Sequence, residues 1–224
     1  MPRPRFKALA PQKQQAILEA AADEFSRAGF EGASYNQIIA RAGISKGAMY
    51  YYFDDKADLY LTIVANLSER MITAIGGLDP YNDARSFWAA IRTLTIRMFA
   101  FIAEEPRLAG IAKSLLDTTS GPLSKALASY TDQAQAFILE LLESGRELGA
   151  VREDLPLPLL AHLLSGLGEA FDRWLITRWH ELNAADFAAL PDQAVELFIR
   201  TAAPLKLAVI LDNNPLMDPT HNQG

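Results

Sequence analysis

Residues 34–56, Ser-Tyr-Asn-Gln-Ile-Ile-Ala-Arg-Ala-Gly-Ile-Ser-Lys-Gly-Ala-Met-Tyr-Tyr-Tyr-Phe-Asp-Asp-Lys, constrain this chain most. They read as two short helices joined by a glycine turn. Ser34 stands as N-cap of the first, with Gln37 three residues on, as a capping box requires. Ile38, Ile39 and Ala42 form its apolar face, and Gly43 supplies the left-handed residue that ends it. Ser45 caps the second helix, which runs Lys46-Gly47-Ala48-Met49-Tyr50-Tyr51-Tyr52. Only Met49 and Phe53, four apart, demand burial. A short helix that buries so little adds little to a core, and its open face is free to touch something else. The geometry is that of a helix-turn-helix, whose second helix fits a DNA major groove.

The flanks extend the pattern. Ile17, Leu18, Ala21, Ala22 and Phe25 recur at helical spacing between Pro11 and Gly29. Tyr60, Val64, Leu67, Met71 and Ile75 recur at steps of four and three in a helix after Lys56. A three-helix head is therefore expected over residues 1–55, with a linking helix over about 56–75 as its one connection to the body.

This pattern resembles the N-terminal domain of the TetR (tetracycline-repressor-like) transcription regulators. The match rests on Ile17-Leu18, Ala20-Ala21, Phe25, Gly29-Phe30, Ile39-Ala40, Ala42 through Gly47, Tyr50, Tyr52-Phe53, Lys56 and Leu59, in order and at the family's spacing over residues 12–60. The resemblance implies DNA contacts from Ser34, Tyr35 and Asn36 and from Ser45, Lys46, Gly47, Ala48, Tyr50, Tyr51 and Tyr52, with Lys56 in the next turn. Two positions depart from it: Tyr35 replaces a small hydroxyl residue, and Tyr52 replaces a frequent histidine. Both keep a hydrogen-bonding tip. The basic run Arg3, Arg5 and Lys7 could lie along DNA or in a minor groove; a tail that contributes nothing is the plain alternative.

A net charge of −6 is unexpected for such a role until it is divided. Residues 1–53 hold seven Lys/Arg against four Asp/Glu, a balance of +3; the remainder holds fourteen against twenty-three, a balance of −9. Phosphates would attract the head and repel the body. There is no cysteine, hence no disulfide or thiolate site. His162, His180 and His221 lack metal-ligand spacing, and no phosphate loop, dinucleotide fingerprint or nucleophile elbow occurs. No enzyme, metal or cofactor is expected. With no apolar leader and no run near ~18 apolar residues, the chain is expected to be cytoplasmic and free of membrane.

The body, residues 76–211, reads as all-α, and residues 212–224 as a disordered tail. Helices are expected over about 84–103, 123–148, 158–179 and 190–203, with a short one after Pro106. The helix over 158–179 is apolar on more than one side through Leu160, Leu164, Leu167, Phe171 and Leu175, and Gly168 allows close approach. Val195, Phe198 and Ala202 continue the band on the last helix until Pro204. A helix apolar beyond one stripe needs a second partner. A homodimer through a two-fold four-helix bundle supplies one; two central helices of a monomer would be the alternative. The resemblance further implies a cavity for a small-molecule effector in the body, for which Trp88, Met98, Phe99, Phe101, Ile102, Phe137, Leu141, Phe171 and Trp174 are candidates. Within the family such a protein is a homodimeric regulator, commonly a repressor that an effector releases from operator DNA. The competing expectation is a helical small-molecule-binding or enzymatic dimer whose head no longer reads DNA.

Overall fold

The computed structural model describes residues 2–105, 107–116 and 122–208, without the side chains of 116 and 122–131. The expected tail over 212–224 lies outside the described residues. Those residues form ten α-helices and no strand: α1 (Pro4–Lys7), α2 (Pro11–Gly32), α3 (Tyr35–Arg41), α4 (Lys46–Tyr52), α5 (Lys56–Ile75), α6 (Ala84–Glu104), α7 (Leu108–Leu116), α8 (Pro122–Glu147), α9 (Leu157–Arg178) and α10 (Ala184–Ala202). The all-α expectation holds.

The helices group into two compact units. The first contains residues 1–74 and 102–129, and the second 75–101 and 130–224. This division differs from the one expected from sequence, because α5 and α7 pack with the head. In the first unit Ile17, Phe25, Ile38, Met49, Phe53 and Tyr60 share one core. Phe25 and Tyr60 meet edge-on with ring centroids 4.9 Å apart, and each fully buried aromatic stabilises by about 1.5–3 kcal/mol. Helix α7 closes this core against α2. Tyr60 Oη donates to the Ile111 carbonyl at 3.1 Å, and the Phe30 amide donates to Ser114 Oγ at 2.8 Å. A Cβ on Gly110 would stand 2.3 Å from the Ser26 carbonyl oxygen, so only glycine allows this approach. Nothing in the local pattern of α7 announces its partner, which is why a boundary near residue 76 was the natural reading.

In the second unit α6, the rest of α8, α9 and α10 surround Phe87, Trp88, Leu142, Leu160, Val195 and Ala202. A smaller cluster gathers Phe99, Leu175 and Leu190, with Phe171 against it. Helix α6 is long and apolar enough to cross a membrane by composition. However, it carries Arg92, paired with Asp192 at 2.6 Å, and Arg97, paired with Asp79 at 2.8 Å. Helix α10 begins six residues before the expected start. Asn183 Oδ1 caps it by accepting the Asp186 amide at 2.9 Å, and Pro191 sits inside it.

Candidate nucleic-acid interface and ligand cavity

The two motif helices form as their caps dictate. Ser34 Oγ accepts the Gln37 amide at 3.3 Å and Ser45 Oγ accepts the Ala48 amide at 3.1 Å. Gly43 turns between the helices with φ of +63°. The capping box is completed differently from the expectation. The Ser34 amide donates not to Gln37 but to Glu24 Oε1, at 3.0 Å. Glu24 is fully buried. It also accepts two bonds of 2.9 Å from Arg27 and lies 3.6 Å from Arg41. The Arg27 bonds, then the Ser34 amide, hold its carboxyl below the usual range against the opposing effect of burial. Sequence reasoning missed Glu24, although a carboxylate inside an apolar stripe was a visible anomaly.

Burial of Ile38, Met49 and Phe53 fixes which face of α4 is left open. Asn36, Ser45, Lys46 and Gly47 are exposed, as are Tyr50 and Tyr51 at 45% and 47%; Ser34 and Ala48 are half-buried. Three expected contact residues are placed otherwise. Tyr52 is buried, its ring edge-on to Phe6 with centroids 6.2 Å apart, because three successive tyrosines cannot share one helix face. Tyr35 packs edge-on against Tyr50, and its hydroxyl is enclosed with no partner. Burial, then Tyr50, raises its pKa. Lys56 is committed to the fold: Nζ donates to the Glu31 and Ala33 carbonyls at 3.1 and 3.4 Å and stands 4.8 Å from the Phe30 ring centroid.

The basic N-terminal run is anchored. Phe6 is 3% exposed and lies 4.8 Å from Phe53, ring to ring. Arg3 Nε donates to Asp54 at 2.8 Å, and the Arg5 guanidinium lies 4.1 Å above the Tyr51 ring. Arg5 and Lys7 remain exposed beside α4. The resulting surface joins Lys46, Arg5 and two tyrosine tips at one exposed helix, which suits phosphate and base-edge contacts.

The second unit holds an open-mouthed cavity of about 560 Å³. Its walls are helical stripes: Trp88, Ile91, Thr95 and Met98 on α6, Gln135, Ile138 and Leu141 on α8, Ser165, Gly168, Glu169 and Asp172 on α9, and Phe198 on α10. Trp88 keeps its polar tip satisfied by donating Nε1–H to the Ala150 carbonyl at 3.1 Å. Of the expected pocket residues, Trp88, Met98 and Leu141 line this cavity. The rest do not. Phe99 and Phe171 belong to the smaller cluster, Phe137 and Trp174 are 47% and 43% exposed, and Phe101 and Ile102 lie further along α6.

The residues expected at the dimer interface are likewise redistributed. Leu160, Leu175, Val195 and Ala202 are buried in the core of the single chain. Leu164, Gly168 and Phe198 line the cavity, Leu167 is half-buried, and Phe171 joins the smaller cluster. The open apolar face of α9 carries instead Leu159, Leu163, Gly166, Ala170 and Trp174, opposite the cavity stripe by the 3.6-residue period. Leu197 is exposed on α10, which packs against α9. Among the described residues no group of three His, Cys, Asp or Glu could hold a metal ion.

Residues 17–63 match the family model for bacterial regulatory proteins of the tetR family. Over 206 residues the chain is 25% identical to the uncharacterized HTH-type transcriptional regulator YdgC of Bacillus subtilis, across 89% of this chain and 97% of that one. It is 32% identical over 143 residues to the HTH-type transcriptional regulator RutR of Escherichia coli K12, across 60% of this chain and 64% of that one. The fold superposes on the transcriptional regulator FadR of Bacillus subtilis, solved in complex with stearoyl-CoA, with a TM-score of 0.68 at 19% identity, over 84% of this chain and 98% of that one. Helix-turn-helix geometry, an exposed basic and aromatic face and these relatives agree: residues 17–63 carry the DNA-binding head of the tetR family, and the chain as a whole is similar to HTH-type transcriptional regulators.

Proposed function

We propose that this regulator acts as a homodimer that occupies a two-fold operator, represses by occupancy, and leaves DNA when a small molecule fills the cavity of the second unit. The reading is carried by the exposed face of α4, where Lys46, Tyr50 and Tyr51 have no role in the core. Ser34, Asn36, Ser45, Gly47 and Ala48 would approach backbone phosphates, Lys46 and the tyrosine tips phosphates or base edges. Support for the dimer comes from the open stripe Leu159, Leu163, Gly166, Ala170 and Trp174 together with Leu197, an apolar face that a two-fold copy covers with itself. Two heads in such a dimer read half-sites ~34–36 Å apart. The cavity and the stearoyl-CoA complex of FadR support a ligand site. No catalytic step is assigned to the chain.

The test is operator selection followed by titration. If six to ten phosphates are engaged, affinity falls about 10³–10⁵-fold between 50 and 200 mM salt. Lys46→Ala weakens binding and lowers the salt slope by about one. A folded dimer that selects no sequence, or binds it equally with Lys46→Ala, would show that the head does not read DNA.

A further inference from the structure

We infer that the cavity takes an amphipathic monocation, an apolar body carrying one positive charge, seated beside Glu169 and Asp172. The inference deepens the effector reading and rests on it. The apolar body is called for by the walls: Trp88, Ile91, Met98, Ile138, Leu141 and Phe198 converge on this space and offer no charge. The charge is called for by α9. Glu169 and Asp172 are the charged groups among the described lining residues, and both are acidic. Three apart on a helix, they share a face and repel one another.

Among the described residues neither carboxylate has a hydrogen-bond or ion-pair partner. Asp172 stands at the cavity mouth, open to water on one side and crowded by protein on the other. That crowding, then Glu169, pushes its pKa up to about 6. Both carboxylates are exposed at the rim of the cavity, and with no lysine, arginine or histidine among the described lining residues the pair is open to a cation arriving with the ligand.

Two further observations place the head group. Ser165 Oγ, one turn before Glu169 on the same stripe, is buried without a partner. Gly168 lies between them, and a Cβ there would meet nothing within 4 Å, so the backbone leaves room beside both carboxylates. An anionic ligand of equal size would face the same pair as a repulsion.

Tetraphenylphosphonium and tetraphenylborate, one shape with opposite charge, give the test by calorimetric titration of the full chain without DNA. The cation binds at least tenfold more tightly than the anion. Glu169→Gln with Asp172→Asn lowers cation affinity on the order of tenfold per carboxylate, and Gly168→Leu, which fills the space, removes binding. Equal or tighter binding of the anion overturns the inference, as does a carboxylate-free variant that holds the cation unchanged. Failure of both probes to bind overturns it too. Operator affinity measured on the same samples separates the two readings: a bound cation that leaves operator affinity unchanged sinks the effector role and leaves the cation site standing.

Discussion

Glu24→Gln tests how the head is held in register. Glu24 ties α2 to the start of α3 through the Ser34 amide, and it neutralises Arg27 and Arg41. Glutamine keeps one carbonyl for Ser34 but turns an amide toward the guanidinium groups. A hydrogen bond to a charged group contributes about 1.5–3 kcal/mol, and breaking a fully buried ion pair costs about 3–5 kcal/mol. The lower range applies here, because the Arg27 and Arg41 side chains are 57% and 47% exposed and water takes them back. The expected loss is therefore about 2 kcal/mol for Glu24→Gln. Glu24→Ala, which also orphans the Ser34 amide, loses about 1–3 kcal/mol more. Urea denaturation of both variants measures this. The pH dependence supplies a second check. The folded carboxyl titrates below its ordinary value of 4.5, so its contribution is complete above that value and is lost as pH falls through the folded pKa. The gap between wild type and Glu24→Gln should stay flat from pH 8 to 5.5 and narrow below about pH 4.5. A gap that closes between pH 8 and 6, or none at pH 7, refutes the assignment.

Two further outcomes follow from the second unit. Leu163→Glu places a charge on the open stripe of α9 without touching the protomer core, so light scattering should show monomers at micromolar concentration where the wild type is dimeric; a dimeric variant removes this face from the interface. Asp172→Asn should raise the melting temperature at pH 7.5 by a few degrees, about 1 kcal/mol after allowing for solvent on its exposed side. The sign follows from linkage: a carboxyl whose pKa is raised on folding costs stability above that value, so the gain should vanish by about pH 4, and a gain that persists there contradicts the burial argument.

Much of the head was legible in the sequence because local rules decide it. Ser34, Gly43 and Ser45 fix the helix ends, and Ile38, Met49 and Phe53 fix the buried face. What local rules could not supply were partners across space. Glu24 outcompeted Gln37 for the Ser34 amide, and Lys56 turned to carbonyls twenty-odd residues away. In the body, apolar periodicity identified α9 and α10 as helices with more than one packed side. It could not say which side packs in the chain's own core and which is left open. Leu160 and Leu163 are indistinguishable by composition, yet one is fully buried and the other 44% exposed. The expected start of the last helix at about residue 190 fell six residues late, because Pro191 sits inside the helix and its N-cap is Asn183.

The route from cavity to head follows from which helices cross between the units unbroken. The sequence offers one connection between head and body, the linking helix over about 56–75. Helix α5 ends at Ile75 and is followed by Gly76, with φ of +68°, and Gly77; a joint of two glycines transmits little bending unless something clamps it. Arg97 does so, donating to the Gly77 carbonyl at 3.2 Å and to Asp79 at 2.8 Å. Helix α6, by contrast, runs without a break from the cavity at Met98 to Glu104, and α8 from Pro122 to the cavity at Ala134, each crossing a unit boundary along its length. Between them α7 lies against α2. A ligand acts only through its preference for one of two states, and α6 and α8 are the helices that line its cavity and continue past the boundary of the second unit. Ala100→Gly with Ala103→Gly, at exposed positions past the cavity, weakens α6 by about 1 kcal/mol per site without removing a contact to ligand or DNA. Titration of operator with and without tetraphenylphosphonium should show the coupling reduced in that variant, and largely kept in Arg97→Ala, where only the clamp on the α5 joint is lost. The opposite result, coupling lost with Arg97 and kept in the glycine variant, would return the transmission to α5.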